Sequence, residues 1–278
     1  MNLYPQLTAL IDRYDVFFVD QFGTLHDGSA PYPGATEAIS ALRTAGKTVV
    51  ILSNSGKSGA ENAARFIRMG FAPDSFDHFV TSGDVAVESL RTGALGFPFD
   101  PATRCFTVSS GNDRNLVQRL GYRTAEHAED ADLVVIAGSD ADRIGLDAYQ
   151  ALLSPAAEAD VPAICTNPDI EMLTPTGLAP AAGRIAELYK AMGGRVHWIG
   201  KPHPAIYDYA HRLCGHPDKK RILAIGDSIE HDVAGAAGFG IDAVLVRNGV
   251  SGGAGSETLL AKIKEARLDV RAIVDALA

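Results

Sequence analysis

The sequence predicts an α/β protein built on a parallel sheet. Short apolar runs alternate with longer segments of helical period along the 278 residues. Most of the runs are apolar throughout, as strands that are buried on both faces should be. Strand, helix, strand, helix at this spacing is typical of parallel strands joined by right-handed crossovers. Because the chain exceeds the usual size of one hydrophobic core, we expect one large domain or two.

The apolar runs give the predicted strands, and the segments between them give the helices. Strands are predicted at 15–20, 48–53, 104–109, 132–138, 162–166, 196–200, 221–227 and 242–246. Helical segments are predicted at 34–46, 58–70, 204–215 and 231–240. The glycine-rich stretch VSGGAGS (250–256) is predicted to be a flexible loop with no further role.

Composition indicates a soluble globular protein, with 46% hydrophobic and 21% charged residues. No apolar stretch approaches the ~20 residues of a membrane helix. The first 15 residues lack a signal pattern, so we expect a cytoplasmic protein with no membrane partner. The net charge of −9 argues against binding to nucleic acid. Cys105 and Cys165 lie inside apolar runs, where buried, unreactive thiols are expected.

Polar side chains directly follow several predicted strands. Asp20 ends the first run, Ser53 with Asn54 ends the second, and Asp227 ends RILAIGD. Lys201 follows the run VHWIG. In an open α/β sheet, ligands bind outside the carboxyl ends of the strands, so these residues form a candidate site.

The residue types in this set suit phosphoryl transfer. Asp20 and Asp227 can hold Mg²⁺, which prefers carboxylate oxygens, waters and substrate phosphate. A carboxylate can also be a nucleophile that forms a covalent intermediate. Lys201 supplies a positive charge, and Ser53 supplies a hydrogen-bond donor for phosphoryl oxygens. Phosphoryl transfer depends mostly on such positioning and charge neutralisation.

Other motifs fail on spacing. The segment SGKS resembles the end of a phosphate-binding P-loop, but the leading glycine position is Ile51. The glycines of GAAGFG fall within a predicted helix, which disfavours a dinucleotide site. No Cys or His set has zinc spacing.

The motifs together resemble the haloacid dehalogenase superfamily, and specifically its class IIA, NagD-like phosphatases. DQFGTLHDG is similar to the first family motif, which implies that Asp20 is the nucleophile. LSNSGKS is similar to the second, with Ser53 binding phosphate, and GKPHPAIYDYA to the third, with Lys201. AIGDSIEHDVAGAAGFG is similar to the fourth, with Asp227 as a metal ligand and Asp232 as its supporting acid.

The resemblance also implies a domain arrangement. It implies a Rossmann-like catalytic core from residues 1–87 and 195–278, and an inserted α/β cap from 88–194. The loops GSD (138–140) and NPD (167–169) of the cap are expected to select a small phosphorylated metabolite. A homodimer through the cap is expected as well. The residues implied in substrate binding are Asn54, Gly23, Asp140, Asn167 and Asp169.

The first motif departs from the family pattern at Phe22, where the phosphatases carry a second Asp that moves protons. The backbone carbonyl of Phe22 can still ligate Mg²⁺, so the resemblance implies a Mg²⁺-dependent phosphatase that forms an aspartyl-phosphate. Asp27 or His26 is a candidate substitute acid or base. Two alternatives stay open: a dehalogenase-like hydrolase of the superfamily, and a phosphate-binding regulatory protein with little turnover.

Overall fold

The computed structural model describes residues 8–97, 100–174 and 177–277. Its strands are β1 Val16–Val19, β2 Thr48–Ser53, β3 His78–Thr81, β4 Arg104–Val108, β5 Arg123–Thr124, β6 Leu133–Ile136, β7 Ala163–Cys165, β8 Glu171–Thr174, β9 Gly177–Pro180, β10 Val196–Trp198, β11 Ile222–Gly226, β12 Asp242–Val246 and β13 Ala272–Val274. Its α-helices are α1 Thr8–Ile11, α2 Ala35–Thr44, α3 Gly59–Arg68, α4 Ser82–Arg91, α5 Asn115–Leu120, α6 Leu146–Glu158, α7 Ala182–Ala191, α8 Pro204–Leu213, α9 Ala234–Phe239 and α10 Ser256–Glu265.

The chain folds into two compact units. The first unit comprises the described residues up to Ser53, Gly59–Val80 and those from Lys201 onward, and the second comprises Asn54–Ser58 and Thr81–Gly200. The second unit therefore contains all of α4 and β10. The predicted boundaries at 87/88 and 194/195 place the first part of α4 and all of β10 in the core instead. The physical reason is that α4 packs against α5, and β10 pairs with β7.

The first unit is organised around a six-stranded sheet in the order β13-β12-β11-β1-β2-β3. The strands from β13 to β2 pair in parallel. All four residues of β1 and all five of β11 are buried, as expected for central strands covered on both faces. The predicted α/β fold with a parallel sheet is confirmed.

The second unit contains its own parallel sheet, in the order β10-β7-β6-β4-β5. An antiparallel hairpin, β8-β9, adds two short strands. Every predicted strand is present, and the sequence analysis missed β3, β5, β8, β9 and β13. These strands are two to four residues long, too short to give a clear period.

Burial agrees with the sequence-based expectations for the cysteines. Cys105 and Cys165 are fully buried, and burial raises the pKa of each thiol to about 12. Among the described residues, no helix combines the length and apolar character needed to cross a bilayer.

The core of the first unit includes an aromatic cluster around Phe66 on α3. The ring of Phe66 stacks on Phe71 with 3.6 Å between centroids, and it meets Phe76 and Phe79 edge-on. Phe66 is 1% exposed, whereas the next residue, Ile67, is 37% exposed. The helix therefore presents one residue to the core and the next to solvent.

We expect Phe66→Ala to lower the free energy of unfolding by about 3–5 kcal/mol, because it leaves a cavity among three rings. The matched control Ile67→Ala should change it by less than about 0.5 kcal/mol. Urea denaturation followed by circular dichroism measures both. Equal losses in the two variants would contradict the assignment of the core face.

Candidate active site

Three of the predicted site residues lie at one edge of the first unit's sheet. Asp20 directly follows β1, Ser53 ends β2, and Asp227 directly follows β11. Because β2, β1 and β11 are neighbours in parallel register, their carboxyl ends meet at the same edge. All three side chains are buried, with between 4% and 8% of each residue exposed.

The buried ammonium of Lys201 joins two carboxylates of this edge. Its Nζ lies 2.5 Å from Oδ1 of Asp20 and 2.7 Å from Oδ1 of Asp232. Burial by itself lowers the pKa of Lys201, but the two carboxylates outweigh it and hold the pKa well above the usual value. Lys201 therefore stays charged and fixes the positions of both acids.

Asp232 accepts hydrogen bonds on both of its oxygens, one from Lys201 and one from the turn that follows β11. This turn is π-helical over Ile229–Val233, and the backbone N–H of Ser228 donates to Oδ2 of Asp232 at 3.1 Å. A Cβ atom on Gly226 would lie 2.0 Å from Cγ of Asp232, so only glycine fits there. Asp232 thus accepts from Lys201 on one side and from the backbone on the other.

Asp227 carries a carboxylate that is unfavourable without a cation. Burial, followed by the charges of Asp20 and Asp232, raises the pKa of Asp227 well above its usual range. Single oxygen atoms of these three acids lie within 4.8 Å of one another. Three carboxylates and one ammonium give a net charge of −2 when ionised, which a divalent cation balances. The donor set is all oxygen, which fits Mg²⁺.

The comparisons with known proteins agree with this geometry. Residues 17–123 match the family model described as haloacid dehalogenase-like hydrolase, and residues 198–275 match a second model described as HAD-hydrolase-like. A solved structure of a haloacid dehalogenase-like family hydrolase from Brucella suis 1330 is 30% identical, with a TM-score of 0.84 over 99% of this chain and 100% of that one. The chain belongs to the haloacid dehalogenase-like hydrolase family.

Two further relatives within this family are named as phosphatases. The D-glycerol 3-phosphate phosphatase of Mycobacterium tuberculosis is 28% identical over 246 residues, which is 88% of this chain and 66% of that protein. The chain thus spans slightly less than two thirds of that relative's length. A solved 4-nitrophenylphosphatase from Thermotoga maritima is 26% identical, with a TM-score of 0.71 over 96% of both chains.

The segment at the start of the predicted loop 250–256 contacts the acidic site of this haloacid dehalogenase-like chain. Residues Gly249–Ser251 form a 3₁₀ turn. The backbone N–H of Val250 donates to Oδ2 of Asp227 at 2.7 Å, and the Ser251 hydroxyl donates to the Asp227 carbonyl at 2.5 Å. The prediction that this stretch has no further role is wrong, because its first residues hold Asp227 in place.

Two glycines with positive φ allow the close approach to Asp227. A Cβ on Gly23 (φ 85°) would lie 2.3 Å from Oδ2 of Asp227, and one on Gly249 (φ 50°) would lie 1.9 Å from the same atom. Gly23 was predicted to bind substrate, and the structure brings its backbone against this carboxylate. Any side chain at either position would displace Asp227.

Gln21 is a buried polar residue of the site that the sequence analysis did not single out. Its Nε2 lies 2.5 Å from Oγ of Ser53 and 3.3 Å from Oδ1 of Asn62. A glutamine directly after a predicted nucleophile, in an otherwise apolar strand end, was the available signal. A polar residue at such a place needs partners when it is buried.

Phe22 and His26 lie beside each other, with ring centroids 5.9 Å apart. Phe22 is 41% exposed, so its side chain presents an apolar surface. His26 is 2% exposed, and burial, followed by the charge of Arg65, lowers its pKa to about 4. Its Nδ1 accepts a hydrogen bond from the backbone of Gly28 at 3.0 Å, so the ring is neutral and already bonded in the interior.

Asp27 is bonded within its own turn. Its Oδ1 accepts hydrogen bonds from the backbone N–H groups of Ser29 and Ala30, at 2.7 and 2.8 Å, and from the Ser29 hydroxyl at 2.7 Å. These bonds, the Ser29 hydroxyl first, lower the pKa of Asp27 to about 2. The contacts therefore describe a capped turn, and the role of Asp27 or His26 as a substitute acid or base stays a prediction.

The remaining predicted substrate-binding residues lie in the second unit, and most of them meet there. Asn54 donates from Nδ2 to Oδ1 of Asp169 at 2.8 Å, and the backbone N–H of Asp169 donates to Oδ1 of Asn167 at 3.1 Å. Asp140 belongs to a different set, where its carboxylate accepts from Arg143 at 2.9 Å and from the Gly111 N–H at 3.2 Å. Their role in substrate binding stays a prediction.

We expect Gly249→Ala to weaken Mg²⁺ binding about tenfold or more, because the added methyl group collides with Oδ2 of Asp227. Gly253→Ala is the matched control, since Gly253 also has a positive φ but a Cβ there meets nothing within 4 Å. Both variants should lose roughly 1–2 kcal/mol of stability from the left-handed alanine. Titration calorimetry with Mg²⁺ separates them. Equal Mg²⁺ affinities would mean that the close approach is not needed.

Proposed function

We propose that the chain is a Mg²⁺-dependent phosphatase of small phosphorylated metabolites, acting through an aspartyl-phosphate at Asp20. The observation that carries the proposal is the buried pair of Asp20 and Lys201 at the sheet edge, with Asp227 and Asp232 beside it. A buried carboxylate fixed by an ammonium and set among further acids suits attack on a phosphoryl group next to a cation.

The residues of the chain have distinct roles in the proposed reaction. A carboxylate oxygen of Asp20 attacks phosphorus, and the bond from phosphorus to the ester oxygen breaks with its electron pair going to the leaving group. Lys201 orients Asp20 and offsets negative charge on the phosphoryl oxygens, and the hydroxyl of Ser53 donates to one of those oxygens. Water then attacks the phosphorus of the acyl phosphate, and the bond from phosphorus to Asp20 breaks with its electron pair returning to the carboxylate, which releases inorganic phosphate and restores Asp20.

The cation would be held by Asp20, by Asp227 and by the backbone carbonyl of Phe22, with Asp232 supporting them through Lys201 and Ser228. When bound, Mg²⁺ supplies charge neutralisation for the phosphoryl group. The three acids repel one another without it, so EDTA should silence the enzyme.

The substrate class rests on the relatives, whose names specify a glycerol phosphate and an aryl phosphate. Both are small phosphate monoesters. Asn54, Asn167 and Asp169 are proposed to bind substrate, and a homodimer through the second unit remains part of the proposal. A dehalogenase-like reaction is disfavoured because it leaves the buried acids Asp227 and Asp232 without a use.

One observation favours a second candidate function. Phe22 stands where the family's phosphatases carry their proton carrier, and neither His26 nor Asp27 has the contacts of a substitute. A phosphate-binding protein with little turnover would keep Lys201, Ser53 and the acids while losing that residue. Tight phosphate binding without hydrolysis of any phosphate ester would identify it.

We expect Asp20→Asn to abolish phosphatase activity, because the isosteric amide cannot attack phosphorus, while the fold stays intact. The control Asp208→Asn changes an exposed aspartate on α8 and should leave the rate within about twofold. Initial rates on 4-nitrophenyl phosphate with Mg²⁺, and circular dichroism of both variants, make the comparison. An Asp20→Asn enzyme that keeps more than a small fraction of the wild-type rate would exclude the covalent mechanism.

We expect aryl phosphates to be cleaved far faster than alkyl phosphates, because positioned general acid catalysis typically contributes ~10²–10⁴-fold and Phe22 cannot provide it. Phe22→Asp should reduce this leaving-group dependence by restoring a carboxyl group. Phe22→Asn is the matched control, because asparagine has the size of aspartate but cannot transfer the proton. This variant should keep the steep dependence of the rate on the leaving group. The leaving-group dependence is measured from the rates of the wild type, Phe22→Asp and Phe22→Asn on a series of aryl and alkyl phosphate esters.

Asp27→Asn serves as a second control in that series. Since the Asp27 carboxylate is bonded within its own turn, the variant should show the wild-type leaving-group dependence. A wild type that cleaves alkyl and aryl esters equally well would contradict the role assigned to the Phe22 position. A loss of most of the rate in Asp27→Asn would instead identify Asp27 as the proton carrier.

A further inference from the structure

A chain of hydrogen bonds runs from the half-buried backbone of Gly28 to the buried side chain of Ser53, within the first unit. Its first bond is donated by the Gly28 N–H to Nδ1 of His26 at 3.0 Å. The guanidinium of Arg65 donates to the Gly28 carbonyl and ties this residue down. Because Nδ1 of His26 accepts this hydrogen bond, the single proton of the neutral ring is on Nε2.

The second bond fixes the orientation of the Gln21 amide. Nε2 of His26 faces Oε1 of Gln21 at 3.4 Å, so the imidazole donates and the amide oxygen accepts. The amide nitrogen of Gln21 then faces the opposite way, toward Oδ1 of Asn62 at 3.3 Å and Oγ of Ser53 at 2.5 Å. Both amide hydrogens are thereby directed to acceptors. If the amide were rotated by 180°, its oxygen would face the oxygen of Asn62, and its N–H group would face the N–H group of His26.

The third bond sets the direction of the Ser53 hydroxyl. Since Oγ of Ser53 accepts from Gln21, the hydrogen of that hydroxyl does not point at Gln21. The hydroxyl can then donate in another direction, which is the function that a phosphate-binding serine requires. Gln21, His26, Ser53 and Asn62 are all buried, with at most 8% of any residue exposed, so these orientations are not exchanged for water contacts.

We propose that Gln21 is a positioning residue, held in orientation by His26, that sets the Ser53 hydroxyl as a donor to a phosphoryl oxygen. This inference rests on the proposed phosphate-binding role of Ser53. It assigns a use to two residues of the DQFGTLHDG segment other than the nucleophile, and it gives His26 a static role in place of the predicted proton transfer.

The experiment is a double-mutant cycle between Gln21 and Ser53, read by the affinity for inorganic phosphate in the presence of Mg²⁺. Gln21→Met keeps the length of the side chain and removes the donor to Ser53. In the wild-type background it should weaken phosphate binding about three- to tenfold, the value of one hydrogen bond. In the Ser53→Ala background the same change should have no further effect, because the hydroxyl that it orients is absent.

Steady-state kinetics on 4-nitrophenyl phosphate and a second variant complete the test. When the double-mutant cycle is measured by kcat/KM, Gln21→Met should again lower the value only when the Ser53 hydroxyl is present. His26→Phe keeps a ring but releases the Gln21 amide, so it should weaken phosphate binding less than Gln21→Met and also only when Ser53 is present. This variant keeps the proposal testable if Gln21→Met does not fold.

The outcomes separate this inference from the proposed function. Equal losses of phosphate affinity with and without the Ser53 hydroxyl would indicate a purely structural network and overturn the inference. A wild type that binds phosphate but hydrolyses no ester would defeat the proposed function, while the binding cycle still tests Gln21. A wild type that binds no phosphate would overturn both.

Discussion

The buried ammonium of Lys201 is the interaction on which the rest of the site depends. It contacts Asp20 and Asp232, two residues more than 200 positions apart in the chain. Removing the Lys201 ammonium from this buried set should cost about 3–5 kcal/mol, because the carboxylates would lose their compensation. The contact between Lys201 and Asp20 stabilises the edge of the sheet and also orients the proposed nucleophile.

Packing several acids at one edge places strict limits on the backbone around them. Gly226 lies against Asp232, and Gly23 and Gly249 lie against Asp227, each so closely that a Cβ atom would overlap the carboxylate. The backbone N–H groups of Ser228 and Val250 use this proximity to donate to the acids. The glycines therefore let the main chain replace solvent around charges that burial would otherwise destabilise.

The sequence predicted the parts of this arrangement that follow from strand order alone. Asp20, Ser53 and Asp227 could be found because parallel strands bring their carboxyl ends to one edge. The support of Asp227 by Val250 could not be found, since a glycine-rich stretch has no period and its contact is tertiary. The short strands β5 and β13 were missed for a related reason: sheet pairing, rather than their own pattern, makes them strands.

In the DQFGTLHDG segment (20–28), the side chains of Gln21 and His26 are proposed to orient site residues without transferring protons. His26 is neutral, and Nδ1 accepts a backbone hydrogen bond, so transferring the Nε2 proton to a leaving group would leave an anionic ring in a buried place. Such a charge is strongly disfavoured away from water. With Phe22 apolar and Asp27 ionised within its own turn, the protons of the proposed reaction must come from water or from the substrate. In the proposed mechanism the hydrogen bonds of Gln21 and His26 contribute orientation only, and we expect the chemistry of the leaving group to set the rate.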